Sequence, residues 1–498
     1  MVDFAQIASR IGELMLFDAS QPMIFSSGLF LFLFTAFLFG YWALRGSANW
    51  RILYVIAFSL LFYYKSSGIY FLILVAVSIC DYWIGHIMAT LISIKQRKLL
   101  VAVSLVVNLG MLAYFKYTNL FVEFSNSLFG DGLLEFQNIF LPVGISFFVF
   151  QSLSYTIDIY RGRLEPLQKW GDYLFYLSFF PQLVAGPIVR ATDFIPQIRK
   201  PLEVTREMFG SALFLIITGL FKKAVISDYI SLNFVDRVFD APLLYTGFDS
   251  LMAIYGYALQ IYCDFSGYSD MAIGLALLLG FKFPKNFDAP YKSATITEFW
   301  RRWHISLSSW LRDYLYISLG GSRVGRVRTY LNLLITMVLG GLWHGAAVRF
   351  ILWGTLHGVA LALHKVWLSV VPGAETLGSK MQLGWRILGV ILTFNIVCFG
   401  WLMFRAESME IVGSMLSQIF TDFGGEYIGQ ALVSYAPFFG LLVLGFLLHF
   451  APEGWSDRVR GVVTRAPFGA QVAAVVAVIW LVMQVQSSEI QPFIYFQF

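Results

Sequence analysis

The chain has 498 residues, of which 58% are hydrophobic, 18% aromatic and only 13% charged. Because a soluble protein carries about 25% charged residues, the 35 basic and 30 acidic side chains are too few to cover a soluble surface. Composition excludes soluble, disordered, fibrous and disulfide-scaffold proteins, and it predicts an all-α polytopic membrane protein. The net charge of +5 fits basic cytoplasmic loops better than nucleic-acid binding. The three cysteines have no spacing typical of a metal or redox site.

The amino terminus differs in pattern from the rest of the chain. Residues 1–22 carry apolar residues at helical spacing, and we expect an extension there that forms a short interfacial amphipathic helix. Residues 23–498 form a series of apolar segments without a linker, which predicts a single membrane-embedded domain. A straight spanning helix needs about 20 apolar residues, and several segments are shorter or contain Gly, Pro or polar residues. We therefore expect roughly ten to thirteen transmembrane or re-entrant helices around a central cavity.

Two carboxylates, Asp264 and Asp270, precede an apolar run that begins at Met271. Carboxylates beside a membrane segment cost free energy unless they are paired, and at six positions apart they do not share one helical face. One interpretation is structural: Asp264 or Ser266 caps a helix, or the carboxylates pair with an arginine. The alternative is functional, with Asp264, Ser266 and Asp270 lining and polarising the cavity.

The segment Thr295–Tyr316 is predicted to form one amphipathic helix in the membrane interface, beginning at a capping box of Thr295 and Glu298. Trp303 lies on its apolar stripe and is a candidate for lining the cavity. His304 is expected to point toward the protein interior. The opposite face carries three arginines: Arg301, Arg302 and Arg312. These arginines either anchor the helix to anionic lipid or hold a phosphorylated cytosolic donor.

The last polar cluster surrounds His344. Thr336, Gly340 and His344 recur every four residues and so share one helical face, while the glycine allows another backbone or a ligand to approach. A desolvated histidine is shifted toward its neutral form, which can accept a proton as a general base. The alternative is a packed core histidine. Asn332 and Trp343 are further candidates for the cavity lining.

The residues alone leave two classes of protein open. One is a membrane enzyme with His344 as base, and the other is a transporter with broken helices around a substrate path. The chain has no G-x-S-x-G, H-E-x-x-H or P-loop motif, which argues against a serine hydrolase, a zincin or an ATP-driven pump. The arginine-rich segment and the scarcity of intramembrane carboxylates favour the enzyme.

Several longer motifs resemble the bacterial branch of the membrane-bound O-acyltransferase family and, within it, members that acetylate polysaccharides. The strongest matches are four blocks: Asp264–Gly274, Thr297–Ser308, Tyr314–Gly321 and Gly340–Ala346. Shorter matches are Met23–Ser27, Pro142–Phe147, Gly186-Pro187 and Pro492–Phe498. The resemblance therefore covers nearly the whole chain from Met23.

This resemblance implies a ring of helices around a central funnel in a multi-pass protein of the bacterial inner membrane. It implies that His344 is the catalytic histidine and His304 a second histidine of the funnel. No bound cofactor is implied; the acyl donor is a cytosolic thioester, acetyl-CoA in the acetylating branch. The acyl group moves toward an exported polysaccharide, with a periplasmic acetyltransferase and the export machinery as partners. In the D-alanylating branch, a small carrier protein supplies the acyl group for teichoic acid instead.

Overall fold

The computed structural model describes residues 12, 14–18, 22–130, 132–184, 186–371, 383–485 and 494. Within these ranges the chain forms helices and connecting loops and no β-strand, which confirms the all-α class. The predicted interfacial helix in residues 1–22 lies largely outside the described residues. The same holds for the motif Pro492–Phe498, of which Ile494 alone is described.

The chain divides into two compact units. The first comprises Met1–Met208 and Leu275–Phe283, and the second comprises mainly Phe209–Gly274 and Pro284–Phe496. The residues proposed above as functional, from Asp264 to His344, all belong to the second unit.

The first unit contains eight described α-helices. They are α1 (Gly28–Ala43), α2 (Ala48–Ser67), α3 (Phe71–Thr90), α4 (Ile94–Phe129), α5 (Ile145–Tyr160), α6 (Trp170–Ser178), α7 (Phe180–Leu183) and α8 (Ala191–Phe194). Ser27 caps the start of helix α1, because its side chain accepts a hydrogen bond of 3.2 Å from the Phe30 backbone N–H. Aromatic rings form much of the core; those of Phe37 and Phe58, for example, stack with centroids 4.2 Å apart. Aromatic pairs of this kind add packing energy to the burial of apolar area.

A near-continuous helix opens the second unit. It consists of α9 (Arg206–Leu220), α10 (Asp228–Ile230) and α11 (Asp236–Asp240), joined by π-helical turns at Phe221–Ser227 and Ser231–Val235. It packs against α12 (Gly247–Leu278) through glycines. A Cβ atom at Gly219 would lie 2.6 Å from the carbonyl oxygen of Gly267, and one at Gly274 would lie 2.8 Å from that of Ala212. The two backbones can approach this closely because both positions lack a side chain.

The remaining helices follow in chain order. They are α13 (Ile296–Arg302), α14 (Ile305–Trp310), α15 (Arg326–His344), α16 (Val348–Val370), α17 (Leu383–Arg405), α18 (Met409–Thr421), α19 (Ile428–Ser434), α20 (Ala436–His449), α21 (Trp455–Arg465) and α22 (Phe468–Val485). A π-helical turn, Leu311–Tyr316, extends α14. Helices α15 and α16 form an antiparallel pair, because only the three residues between His344 and Val348 connect them.

Among the described residues, five helical stretches are long and apolar enough to cross a membrane, or six if a pair of helices bent by 89° counts as one span. The five are Ala48–Thr90, Ile94–Phe129, Arg206–Asp240, Val348–Val370 and Leu383–Arg405, and the bent pair is Gly425–Ser434 with Ala436–His449. These stretches identify a multi-pass membrane protein. The larger number of embedded segments and the central funnel stay predictions.

Candidate active site

His344 is the last residue of α15, and the chain leaves the helix at Gly345 in an extended conformation. Thr336, Gly340 and His344 are all buried, as their four-residue spacing along a helix predicts. The residue His344 is only 4% exposed. Its ring contacts those of Trp343, Trp353 and Phe404, with centroids 5.0, 5.0 and 5.2 Å away. The candidate base therefore lies in aromatic surroundings where water is scarce.

Glycines around His344 admit a neighbouring backbone. A Cβ atom at Gly341 would collide with the carbonyl oxygen of Phe350, and one at Gly354 would collide with the carbonyl oxygen of Met337. At Gly345 it would collide with the Phe350 ring. Gly341 and Gly345 thus serve the contact between α15 and α16, which holds Trp353 of α16 against His344. At Gly340, the glycine of the predicted face, a Cβ atom would instead meet the side chain of Leu311.

The expected continuous helix over Thr295–Tyr316 is wrong. The chain forms α13, breaks at Trp303 and His304, and resumes with α14. His304 has a positive φ of 42°, in the left-handed region, where a non-glycine residue costs about 1–3 kcal/mol. The capping box is half confirmed: Thr295 Oγ1 accepts from the Glu298 N–H at 3.1 Å, but the Glu298 carboxylate accepts from the Ala294 N–H instead.

A preceding loop, Asn286–Ala289, supplies hydrogen bonds at this break. The Ile305 N–H donates to the carbonyl oxygen of Asn286 at 2.8 Å, and the Asp288 N–H donates to that of Arg302 at 2.9 Å. The side-chain oxygen of Asn286 lies 3.1 Å from His304 Nδ1. These contacts satisfy backbone groups that a continuous helix would have paired internally, and they fix the direction of the His304 ring.

His304 is completely buried, so it does point inward, although not by the helical spacing from which this was predicted. Its ring contacts those of Phe265, Phe287 and Trp343, with centroids 4.6, 6.2 and 6.4 Å away. Burial lowers the pKa of His304 to about 3, so the ring is neutral near pH 7. The Trp343 ring contacts both His304 and His344, and the two predicted catalytic histidines therefore flank one indole.

The three predicted donor-binding arginines have different surroundings. Arg301 is exposed. Arg302 lies 2.9 Å from the Glu298 carboxylate, and the Arg312 Nε lies 2.6 Å from the Asp313 carboxylate. The Arg312 side chain is nevertheless 63% exposed. An exposed pair of this kind contributes little to stability, so a stronger anion could compete for this arginine.

Asp264 and Asp270 pair with lysines of the π-helical turn that follows α9, whereas the structural interpretation named an arginine. Lys222 Nζ lies 2.6 Å from the Asp270 carboxylate. Lys223 Nζ lies 2.6 Å from Asp264 Oδ1 and 2.8 Å from Asp228 Oδ1. Because buried carboxylates need such partners, these contacts support the structural interpretation of the motif.

The other predicted lining residues lie within the second unit's core. Asn332 Nδ2 donates to the carbonyl oxygens of Leu319 and Gly321 at 3.1 Å each, and Thr336 Oγ1 donates to the Asn332 carbonyl oxygen at 2.6 Å. Trp303 and Ser266 are each 1% exposed. The structure thus assigns Asn332 a role in holding the loop after the π-helical turn, and the cavity lining stays a prediction for the others.

Sequence reasoning missed Asn286 and Trp353, which touch His304 and His344 respectively. Asn286 lies in a loop of no helical period, 18 residues before His304. Trp353 lies on a different helix from His344. No spacing rule connects residues whose contact depends on how separate elements pack, and neither residue lies in a matched motif.

Comparison of the sequence with those of known proteins identifies a family. The model described as "MBOAT, membrane-bound O-acyltransferase family" matches residues 167–410. The chain is 39% identical over 464 residues to "Probable alginate O-acetylase AlgI" of Pseudomonas syringae pv. tomato, covering 89% of this chain and 87% of the relative. It is 36% identical over 504 residues to the protein of that name in Pseudomonas putida, covering 96% and 100%. It is 35% identical over 418 residues to "Peptidoglycan O-acetyltransferase" of Helicobacter pylori, covering 78% of each.

The chain therefore belongs to the membrane-bound O-acyltransferase family, as the sequence motifs indicated. It is an O-acyltransferase built from membrane helices, which decides the choice between enzyme and transporter that the residues alone left open. Both histidines and the loop that holds His304 lie within the matched residues 167–410.

Proposed function

We propose that the protein transfers an acetyl group from acetyl-CoA, on the cytosolic side of a bacterial inner membrane, toward hydroxyls of an exported polysaccharide. The observation that carries this proposal is the buried position of His344 among aromatic rings at the end of α15. The names of the relatives, which include alginate and peptidoglycan acetylases, support a polysaccharide as the final acceptor. A periplasmic acetyltransferase and the polysaccharide export machinery are the partners this route requires.

His344 acts as the general base in this proposal. The proton of the attacking hydroxyl passes to the imidazole while the hydroxyl oxygen bonds to the thioester carbonyl carbon. The carbon–sulfur bond then breaks, and the leaving thiolate takes the proton from the imidazolium. A positioned base of this kind contributes about 10²–10⁴-fold to the rate. The aromatic rings around His344 keep bulk water away, which limits wasteful hydrolysis of the thioester.

The arginines give the donor a place to bind. Coenzyme A carries phosphates, and arginine binds phosphate oxygens through two parallel hydrogen bonds. In the proposal, the exposed Arg301 and the largely exposed Arg312 contact these phosphates, and Arg302 supports α13 through Glu298. Membrane lipid is the remaining partner of this interfacial segment.

Transfer of labelled acetyl tests the proposal. Membrane vesicles with and without the protein receive acetyl-CoA labelled in the acetyl group, and the label in polysaccharide and the release of free thiol are both measured. Protein-dependent release of thiol, with label in polymer, supports the proposal. Acetyl-CoA left intact, with labelled D-alanine transferred instead from a loaded carrier protein, would replace it with the D-alanyl alternative. Movement of a solute without any thiol release would favour transport.

A further inference from the structure

The side-chain oxygen of Asn286 accepts hydrogen bonds from three groups at the helix break. Asn286 Oδ1 lies 3.2 Å from the Ser306 backbone nitrogen and 2.9 Å from Ser306 Oγ. The same oxygen lies 3.1 Å from Nδ1 of His304. Asn286 is 1% exposed, so these protein groups, and not bulk water, determine how its amide is oriented.

The orientation of the Asn286 amide follows from its neighbours. The oxygen and nitrogen of an amide are assigned from the hydrogen bonds around them. A backbone N–H only donates, so the atom that faces Ser306 N is the oxygen. On the other side, Asn286 Nδ2 donates to Ser269 Oγ at 3.0 Å. If the amide were reversed, the Nδ2–H of Asn286 would face the backbone N–H of Ser306, and neither group could accept.

This orientation determines which nitrogen of His304 carries a hydrogen. Because Asn286 Oδ1 only accepts, His304 Nδ1 is the donor. A neutral imidazole has one N–H and one lone pair, so Nε2 carries the lone pair. The contacts with Asn286 are also consistent with the positive φ of His304, since strain of this type persists only where surrounding contacts hold the residue in place.

We infer that Asn286 is a positioning residue that holds His304 as its Nδ1–H tautomer, so that Nε2 accepts a hydrogen bond from a hydroxyl of the acyl acceptor. The role in catalysis rests on the proposed function; the tautomer does not. His304 in this form orients the acceptor through this hydroxyl, which is not the one that attacks, and does not donate to the developing oxyanion. The proton of the attacking hydroxyl goes to His344, and His304 remains neutral throughout.

Replacement of Asn286 tests the inference through kinetics. Asn286→Ala removes the acceptor for Nδ1 and should lower kcat about 10²-fold, the cost of a misplaced group, with little change in the donor KM. Asn286→Asp keeps an acceptor oxygen and should retain activity within about tenfold. Its carboxylate favours the imidazolium form, so the acid limb of the pH–rate profile should move to higher pH. Asn395→Ala, the same change in α17 at a residue that bonds Tyr255, is the control and should match wild type.

The tautomer itself can be read without any activity. Solid-state NMR of ¹⁵N-histidine-labelled protein distinguishes a protonated from an unprotonated ring nitrogen, and a His304→Gln variant assigns the signal. Protonated Nδ1 and unprotonated Nε2 are expected. An Nε2–H tautomer, or an Asn286→Ala variant with wild-type kcat and pH profile, would overturn the inference. If wild-type protein shows this tautomer but transfers no acyl group, the proposed function fails and the tautomer assignment stands.

Discussion

Two buried ionisable groups, one in each unit of the molecule, are stabilised in different ways. In the first unit, the completely buried Asp81 of α3 accepts hydrogen bonds from neutral side chains. Ser104 and Asn108 of α4 each donate at 2.7 Å, and Ser152 of α5 donates as well. In the second unit, Lys223 lies between the carboxylates of Asp264 and Asp228.

The buried histidines of the second unit, His357 among them, show a third solution. A buried charge must be offset by hydrogen bonds or by an opposite charge, and Asp81 and Lys223 illustrate the two solutions. His304 and His344 instead lie against aromatic rings, where a neutral imidazole is stable and an imidazolium is costly. These surroundings suit the roles proposed above, in which His304 stays neutral and His344 passes on at once the proton that it accepts.

The largest effect on stability is expected from removing the buried cation of Lys223. Lys223→Met leaves Asp264 and Asp228 without their shared partner, which should cost about 3–5 kcal/mol of stability. The midpoint of thermal unfolding in detergent measures it. Lys222→Met is the matched control, because the Lys222 and Asp270 side chains are 26% and 23% exposed, compared with 3% each for Lys223 and Asp264. Equal losses in the two variants would show that burial does not govern the strength of these pairs.

A smaller effect, on activity, is expected at His304. His304→Gln keeps an amide that can bond Asn286 but removes the imidazole lone pair, and kcat should fall about 10²-fold, equivalent to about 2.7 kcal/mol. The unfolding midpoint should stay close to that of wild type. Wild-type kinetics in this variant would reduce His304 to a packing residue.

Removing the buried carboxyl group of Asp81 in the first unit should have a moderate effect on stability. Asp81→Leu leaves the donors Ser104, Asn108 and Ser152 without their acceptor, at about 0.6 kcal/mol each inside a membrane protein, or about 2 kcal/mol together. Asp81→Asn keeps one acceptor oxygen and should cost less than half as much. Thermal unfolding of both variants measures the difference. A more stable Leu variant would contradict the view that these hydrogen bonds hold α3, α4 and α5 together.

The smallest effect is expected at Arg312, whose side chain is largely exposed. Arg312→Gln should raise the KM for acetyl-CoA by up to about tenfold, the value of one charge-assisted hydrogen bond, with kcat retained. Arg460→Gln, which removes another exposed arginine paired with an aspartate, should leave KM unchanged. If Arg312→Gln alters only the association with anionic lipid vesicles, the segment is a lipid anchor and does not bind the donor.

Local periodicity predicted some of these features and could not predict others. The helical face of Thr336, Gly340 and His344 depends on one helix, so its spacing was sufficient. The break at His304 depends on a loop that contacts it from 18 positions earlier, and the segment 295–316 reads as an uninterrupted amphipathic helix without that loop. Local patterns likewise could not identify the charge partner of Asp264, because Lys223 lies on another helix.

Acyl transfer by a His344→Gln variant tests most directly whether His344 is the general base. Vesicles that contain wild type, His344→Gln or His86→Gln, a histidine of α3 in the first unit, are supplied with labelled acetyl-CoA, and the initial rate of thiol release is measured with acceptor present. We expect at least a 10²-fold loss for His344→Gln, about the contribution of a general base, with normal folding, and a wild-type rate for His86→Gln. A wild-type rate in the His344→Gln variant would show that His344 is not the base.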